Sequence, residues 1–252
     1  WSVLLYPLGA SLGFLLLAAG IGKKMAQFKV STVAQLFEVV YGSPFLKKVA
    51  SILSIVSLLM ILVAQVIASK KFMLSLGVES EALFLGMWLL AVVYAVIGGL
   101  KGVVAIDIVQ ALYFIVIFFL SACVAYFWGG FSPGEATFST VTFEGSSAKW
   151  FGWLLMPLFF MVIEQDMGQR CFAAKSTRVV TKAAFWSGVC VMAVCTIPVM
   201  FGMFARQQGI VAAPGASILM RAVEVMTNPY IASFMGCAIL AAIISTADSL
   251  IN

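Results

Sequence analysis

A series of long apolar runs, each closed by a short basic or glycine-bearing loop, constrains this chain more than any other feature. Seven runs can be drawn: Trp1–Ile21, Val49–Leu76, Ala82–Val96, Val103–Trp128, Trp150–Ile163, Val180–Phe204 and Pro229–Asn252. In hydrocarbon every backbone N–H and C=O needs a partner within the protein, so such runs are predicted to be membrane-crossing helices. The chain is 63% hydrophobic and 10% charged, whereas soluble domains are roughly a quarter charged. The predicted fold is therefore all-α, a polytopic transmembrane helical bundle of about seven spans. Between the first two runs, Val33–Tyr41 is predicted to form a short amphipathic helix on the membrane surface.

The basic residues alternate sides from loop to loop. Lys23, Lys24, Lys29, Lys47, Lys48, Lys101, Arg170, Lys175, Arg178 and Lys182 fall on one side. Lys70, Lys71, Lys149, Arg206 and Arg221 fall on the other, with Glu79, Glu81, Glu135, Glu144 and Glu224. The richer side is read as cytoplasmic, which places Trp1 outside and the end of the seventh run inside. The net charge of +5 is thus an orientation signal. The expected partner is the lipid bilayer, and no nucleic acid. Trp1 already lies inside an apolar run and Asn252 ends another. Residues 1–252 are accordingly read as a single transmembrane domain truncated at both ends.

Several chemistries are disfavoured. The chain has no His, and its five cysteines, Cys123, Cys171, Cys190, Cys195 and Cys237, form no CxxC. Neither a disulfide nor a transition metal is expected from them. No nucleophile–base constellation is present, so an enzyme is not expected. Gly98–Gly102 lacks the spacing of a phosphate loop and reads as a tight turn.

The last run changes character where Ser245, Thr246, Asp248 and Ser249 appear in an otherwise apolar helix. At 3.6 residues per turn, Ala242, Ser245, Thr246 and Ser249 share one face. That face offers oxygens, which suit a hard cation such as an alkali ion. Hydroxyls in membrane helices also bond to the carbonyl four residues back and help helices pack, which is the plainer reading of any one of them. Asp248 points away from Ser249 and reads either as a cation ligand or as a solvated residue near the cytoplasmic mouth. Asp107 lies a few residues into the fourth run. It is either an interfacial acid, facing water or paired with Lys101, or the anionic member of a cation pathway. Pro157 interrupts the fifth run and predicts a kink or a broken helix. Glu164, Gln165, Asp166, Gln169 and Arg170 follow as a polar cytoplasmic end.

Three stretches, in this order and spacing, are similar to a known family. YAVIGGLKGVVAIDIVQALYF, EQDMGQRCFAAKS and LAAIISTADSLIN resemble the glycine-pair segment, the segment after the discontinuous helix and the sodium-site helix of sodium:solute symporters. STVAQLFEVVYGSPFLKKVAS is similar to that family's first inner loop. The resemblance covers nearly the whole chain. It implies a leucine-transporter-type inverted repeat of five plus five helices, of which this internal fragment holds core helices two to eight. It implies a sodium ion held by the Ala242 carbonyl and the Ser245 and Thr246 hydroxyls, completed by carbonyls of core helix one. Asp107 matches an acid on the family's sodium route. Ser245, Asp248 and Ser249 occupy the positions that form a second cation site in some members, and Asp248 stands where a small or hydroxyl residue is more usual. Substrate contacts map to Pro157, Phe160 and Met161. These are apolar where sugar-transporting members are polar, which favours an amino acid or other small organic acid.

The expected function is sodium-coupled symport of a small organic solute, in a multi-pass protein of the cytoplasmic (inner) membrane. A membrane sensor region fused to a signalling domain is the alternative.

Overall fold

The computed structural model describes residues 2–28, 30–129 and 147–251. Trp1, Lys29, the polar loop with Glu135 and Glu144, and Asn252 lie outside the described residues, as does the Lys101 side chain. The chain is helical, with α1 Leu5–Met25 and α2 Val33–Tyr41 followed by α3 Pro44–Ser75, α4 Glu81–Gly99 and α5 Gly102–Trp128. Then come α6 Ser147–Ile163, α7 Gln165–Phe172, α8 Thr177–Gln207, α9 Ile218–Met226 and α10 Pro229–Ile251. Six of these, α1, α3, α4, α5, α8 and α10, are long and apolar enough to cross a membrane. The seventh expected span, α6, has only 17 residues. At 1.5 Å per residue it falls short of a hydrocarbon core of roughly 30 Å.

Of the two readings of Pro157, the broken helix is not observed, because α6 runs through it as one helix. The break comes at Glu164, whose backbone is extended (φ −62, ψ 137) and which stands before α7. The connection after α8 contains α9, with Met220, Ala222, Val223 and Met226 buried.

Local chemistry explains the helix ends. The Thr32 hydroxyl accepts from the Gln35 N–H at 3.1 Å, and the Gln35 side chain accepts from the Ser31 N–H at 2.8 Å. These bonds satisfy donors at the start of α2 that helix geometry leaves open. Asn228 caps α10 in the same way, accepting from the Ile231 N–H at 2.9 Å, with Pro229 at the first helical position. Between α4 and α5 the backbone turns at Gly99 (φ +54, ψ −169). This conformation strains any residue with a Cβ.

The chain divides into two compact units, residues 1–58 with 139–196, and residues 59–138 with 197–252. In the first, α1 packs on α6 through Gly9 and Gly13. A Cβ on Gly9 would fall 2.1 Å from the Leu154 carbonyl oxygen, and one on Gly13 would fall 2.6 Å from that of Leu158. This is the small-xxx-small contact by which membrane helices approach closely. The Ser11 hydroxyl donates to the Gly188 carbonyl of α8 at 2.8 Å. The amphipathic α2 is held to α7, where the Val33 N–H donates to Gln165 Oε1 at 2.9 Å and Gly168 faces Val33.

In the second unit α10 packs along α5 and against α9, with Ala232, Met235, Gly236, Ile239, Ile243 and Ala247 buried at helical spacing. The Tyr113 hydroxyl donates to the Phe234 carbonyl at 3.2 Å. Trp88 Nε1–H donates to Ser69 Oγ at 3.0 Å, joining α4 to α3. The Ser217 N–H donates to Ser75 Oγ at 2.8 Å, joining the start of α9 to the end of α3.

Candidate cation site

The packing of α10 on α5 brings Ser245 to Asp107. Ser245 Oγ–H donates to Asp107 Oδ1 at 2.5 Å, and both side chains are half-buried. A serine hydroxyl has one hydrogen and two lone pairs. With the hydrogen given to the carboxylate, both lone pairs stay available to a cation. The carboxylate is itself a charged oxygen ligand close by.

One residue further along α10, the Thr246 hydroxyl donates to the Ala242 carbonyl at 3.0 Å. These two oxygens therefore lie side by side on one face of the helix. The same bond is the ordinary back-bond of a hydroxyl in a membrane helix. Thr246 is exposed and Ala242 half-buried, so this face is partly open within its unit. All the groups it presents are oxygens. Among the described residues no cluster of three His, Cys, Asp or Glu side chains could hold a metal ion.

Of the two expectations for Asp248, the solvated residue near the cytoplasmic mouth is not observed. Asp248 is buried, at 0% exposure, with Ala247 at 0% beside it. Position 248 is rotated from the open face toward the side of α10 that packs, while Ser249 returns to a half-buried position. The pairing of Asp107 with Lys101 lies outside the described side chains.

The apolar trio on α6 lies in the first unit. Pro157 is fully buried and faces Gly9, whose added Cβ would meet Pro157 Cγ at 2.7 Å. Met161 faces Gly13 with its Cβ in the same relation at 2.8 Å. Both belong to the α1–α6 seam, and Phe160 between them is half-buried. The spacing Gly9-x-x-x-Gly13 was the available signal for this seam, masked in a hydropathy reading because glycine neither raises nor lowers the run.

Beyond the spans, Glu164 stands at the α6–α7 break. Burial, and to a lesser degree the neighbouring Asp166, push its carboxyl up to about 7, with Arg170 pulling the other way. Arg170 pairs with Asp166 at 3.1 Å on α7.

Six apolar helices long enough to cross a membrane, two of them packed around a carboxylate bonded to a hydroxyl, describe a polytopic helical membrane protein. A sequence model of the sodium:solute symporter family matches residues 1–252, and the chain belongs to that family. No curated protein matches it. Family membership points to a multi-pass transporter rather than an enzyme, and implies sodium as coupling ion, a small solute as cargo and lipid as its surroundings.

Proposed function

We propose that the chain takes part in sodium-coupled symport of a small organic solute across the cytoplasmic membrane. Sodium is held on α10 by the Ala242 carbonyl and the Ser245 and Thr246 hydroxyls. The observation that carries this reading is the Ser245–Asp107 hydrogen bond at 2.5 Å. It anchors one proposed ligand hydroxyl to a carboxylate and leaves its lone pairs for the ion. Asp107 places negative charge near the path of the incoming cation, where a low effective dielectric strengthens the attraction. Asp248 and Ser249 are proposed for a second cation position on the same helix end.

The solute is an amino acid or another small organic acid, met on α6 at Phe160, with Pro157 and Met161 behind it in the seam with α1. Pro157 and Met161 set the height and tilt of α6 on α1, and Phe160 offers the contact surface. Coupling needs no direct contact between ion and solute. Each favours the conformation that the other binds better, and the two affinities are linked reciprocally.

The test is solute uptake into vesicles as a function of sodium, using the full-length protein. Replacing Ser245 or Thr246 with Ala should raise the half-saturating sodium concentration by about tenfold or more, which corresponds to about 1.4 kcal/mol of lost binding. Unchanged sodium dependence in the double variant would remove α10 from the site.

A further inference from the structure

The first unit carries a groove that the transport reading does not use. It lies between α1 and α8, measures about 400 Å³, and is lined by Leu15, Ala18, Ala19, Lys182, Phe185 and Trp186. Ala18 and Ala19 belong to a π-helical turn, Leu17–Ile21, so their small side chains form a shallow floor where α1 is widened. Phe185 and Trp186 form an open wall, 46% and 62% exposed. Behind the floor, Leu17, Val180 and Ala184 pack in one cluster with Met25 and Cys171. The groove lies where α1 meets α8, at the Gly22–Val180 contact and the Ser11–Gly188 hydrogen bond.

One end of it is basic. Lys182 lines the groove and is exposed. Gly22 packs on Val180, with its added Cβ 2.8 Å from Val180 Cγ1. That contact sets Lys23 and Lys24 beside the first turns of α8, which carry Arg178 and follow Lys175. Among the described residues, the ion pairs of this unit include Lys47–Glu38 and Arg170–Asp166, which involve none of these five cations. The described acids at this end are Glu38, engaged by Lys47, Glu164 at the α6–α7 break, and Asp166, engaged by Arg170. Because both walls are membrane-crossing helices, the occupant of the groove comes from the bilayer. Because its rim is cationic, the occupant's headgroup is anionic.

We propose that this groove binds an anionic phospholipid. One acyl chain lies along Ala18 and Ala19 against Phe185 and Trp186, and the phosphate is held by Lys182 with Lys23, Lys24 and Arg178 nearby. Basic pockets between membrane helices hold acidic headgroups through charge, while lysine stems run along apolar surface. The groove is built from contacts within one unit and does not depend on where sodium binds.

Native mass spectrometry of the full-length protein, titrated with phosphatidylglycerol or phosphatidylcholine, tests this. The wild type should retain phosphatidylglycerol in preference to phosphatidylcholine. Lys182→Gln should lower phosphatidylglycerol retention about fivefold, the worth of one surface cation, and leave phosphatidylcholine unchanged. Lys182→Arg should keep the wild-type preference. Ala19→Phe, which fills the floor at an exposed position, should lower retention of phosphatidylglycerol with the rim charges intact. Equal retention of the two lipids by the wild type, or full phosphatidylglycerol retention in both Lys182→Gln and Ala19→Phe, would overturn the proposal. So would displacement of the lipid by millimolar inorganic phosphate, which would identify a bare anion site.

Discussion

At the scale of single residues, the account turns on hydrogens and lone pairs. Asp107 accepts the Ser245 hydrogen, so Asp107→Asn replaces a charged acceptor with a neutral amide. A hydrogen bond to a charged group is worth about 1.5–3 kcal/mol. The expected outcome is a weaker apparent sodium affinity, tenfold or more in that range, with the solute maximum rate less affected; sodium titration of uptake checks it. Glu164 makes a separate prediction. Its folded-state pKa of about 7 lies above the ordinary 4.5, so the folded protein holds a proton that the unfolded chain has lost between those values. Stability should therefore fall as pH rises from about 4.5 to 7. Glu164→Gln should flatten that slope, and thermal unfolding followed across this pH range reads it directly. The sequence made Asp107 and the α10 hydroxyls conspicuous because polar groups are costly in apolar runs. It did not show that Asp248 is buried. Helical periodicity fixes the angle between Asp248 and Ser249, but which of the two angles faces a neighbour depends on α5.

At the scale of elements, hydropathy located six of the seven expected spans, since only long internally bonded helices suit such runs, while α6 is too short. The α2 boundaries were legible for a different reason, with an amphipathic stretch led by Thr32 and Gln35 and ended by Gly42. The break at Glu164 was not legible. Pro157 drew the eye, yet a proline in a membrane helix can be accommodated by neighbouring groups, and α6 continues through it. The short α9 was hidden because nine residues of mixed polarity inside a Gly- and Pro-bearing connection resemble a loop. The seam between α1 and α6 yields its own prediction. With the Leu154 and Leu158 carbonyls so near Gly9 and Gly13, Gly9→Leu must push the helices apart. Overpacking of this kind costs about 1–3 kcal/mol, so the thermal midpoint of the purified protein should drop clearly. A similar substitution at Gly152, which has open space around it, should have a much smaller effect.

At the scale of the whole molecule, the proposed function draws on both compact units. The first holds the apolar α6 and its glycine seam with α1, and the second holds the oxygen-bearing α10 against Asp107 of α5. A symporter requires that ion and solute bias one shared conformational equilibrium, and a ligand with equal affinity for both states shifts nothing. In the proposed function sodium on α10 supplies that bias, and the expectations for uptake follow from it. The most direct measurement is equilibrium binding of radioactive sodium to the purified full-length protein without solute. Saturable binding to the wild type, lost in Ser245→Ala/Thr246→Ala and weakened in Asp107→Asn, is the predicted result. Sodium binding of wild-type affinity in the Ser245→Ala/Thr246→Ala protein would contradict it.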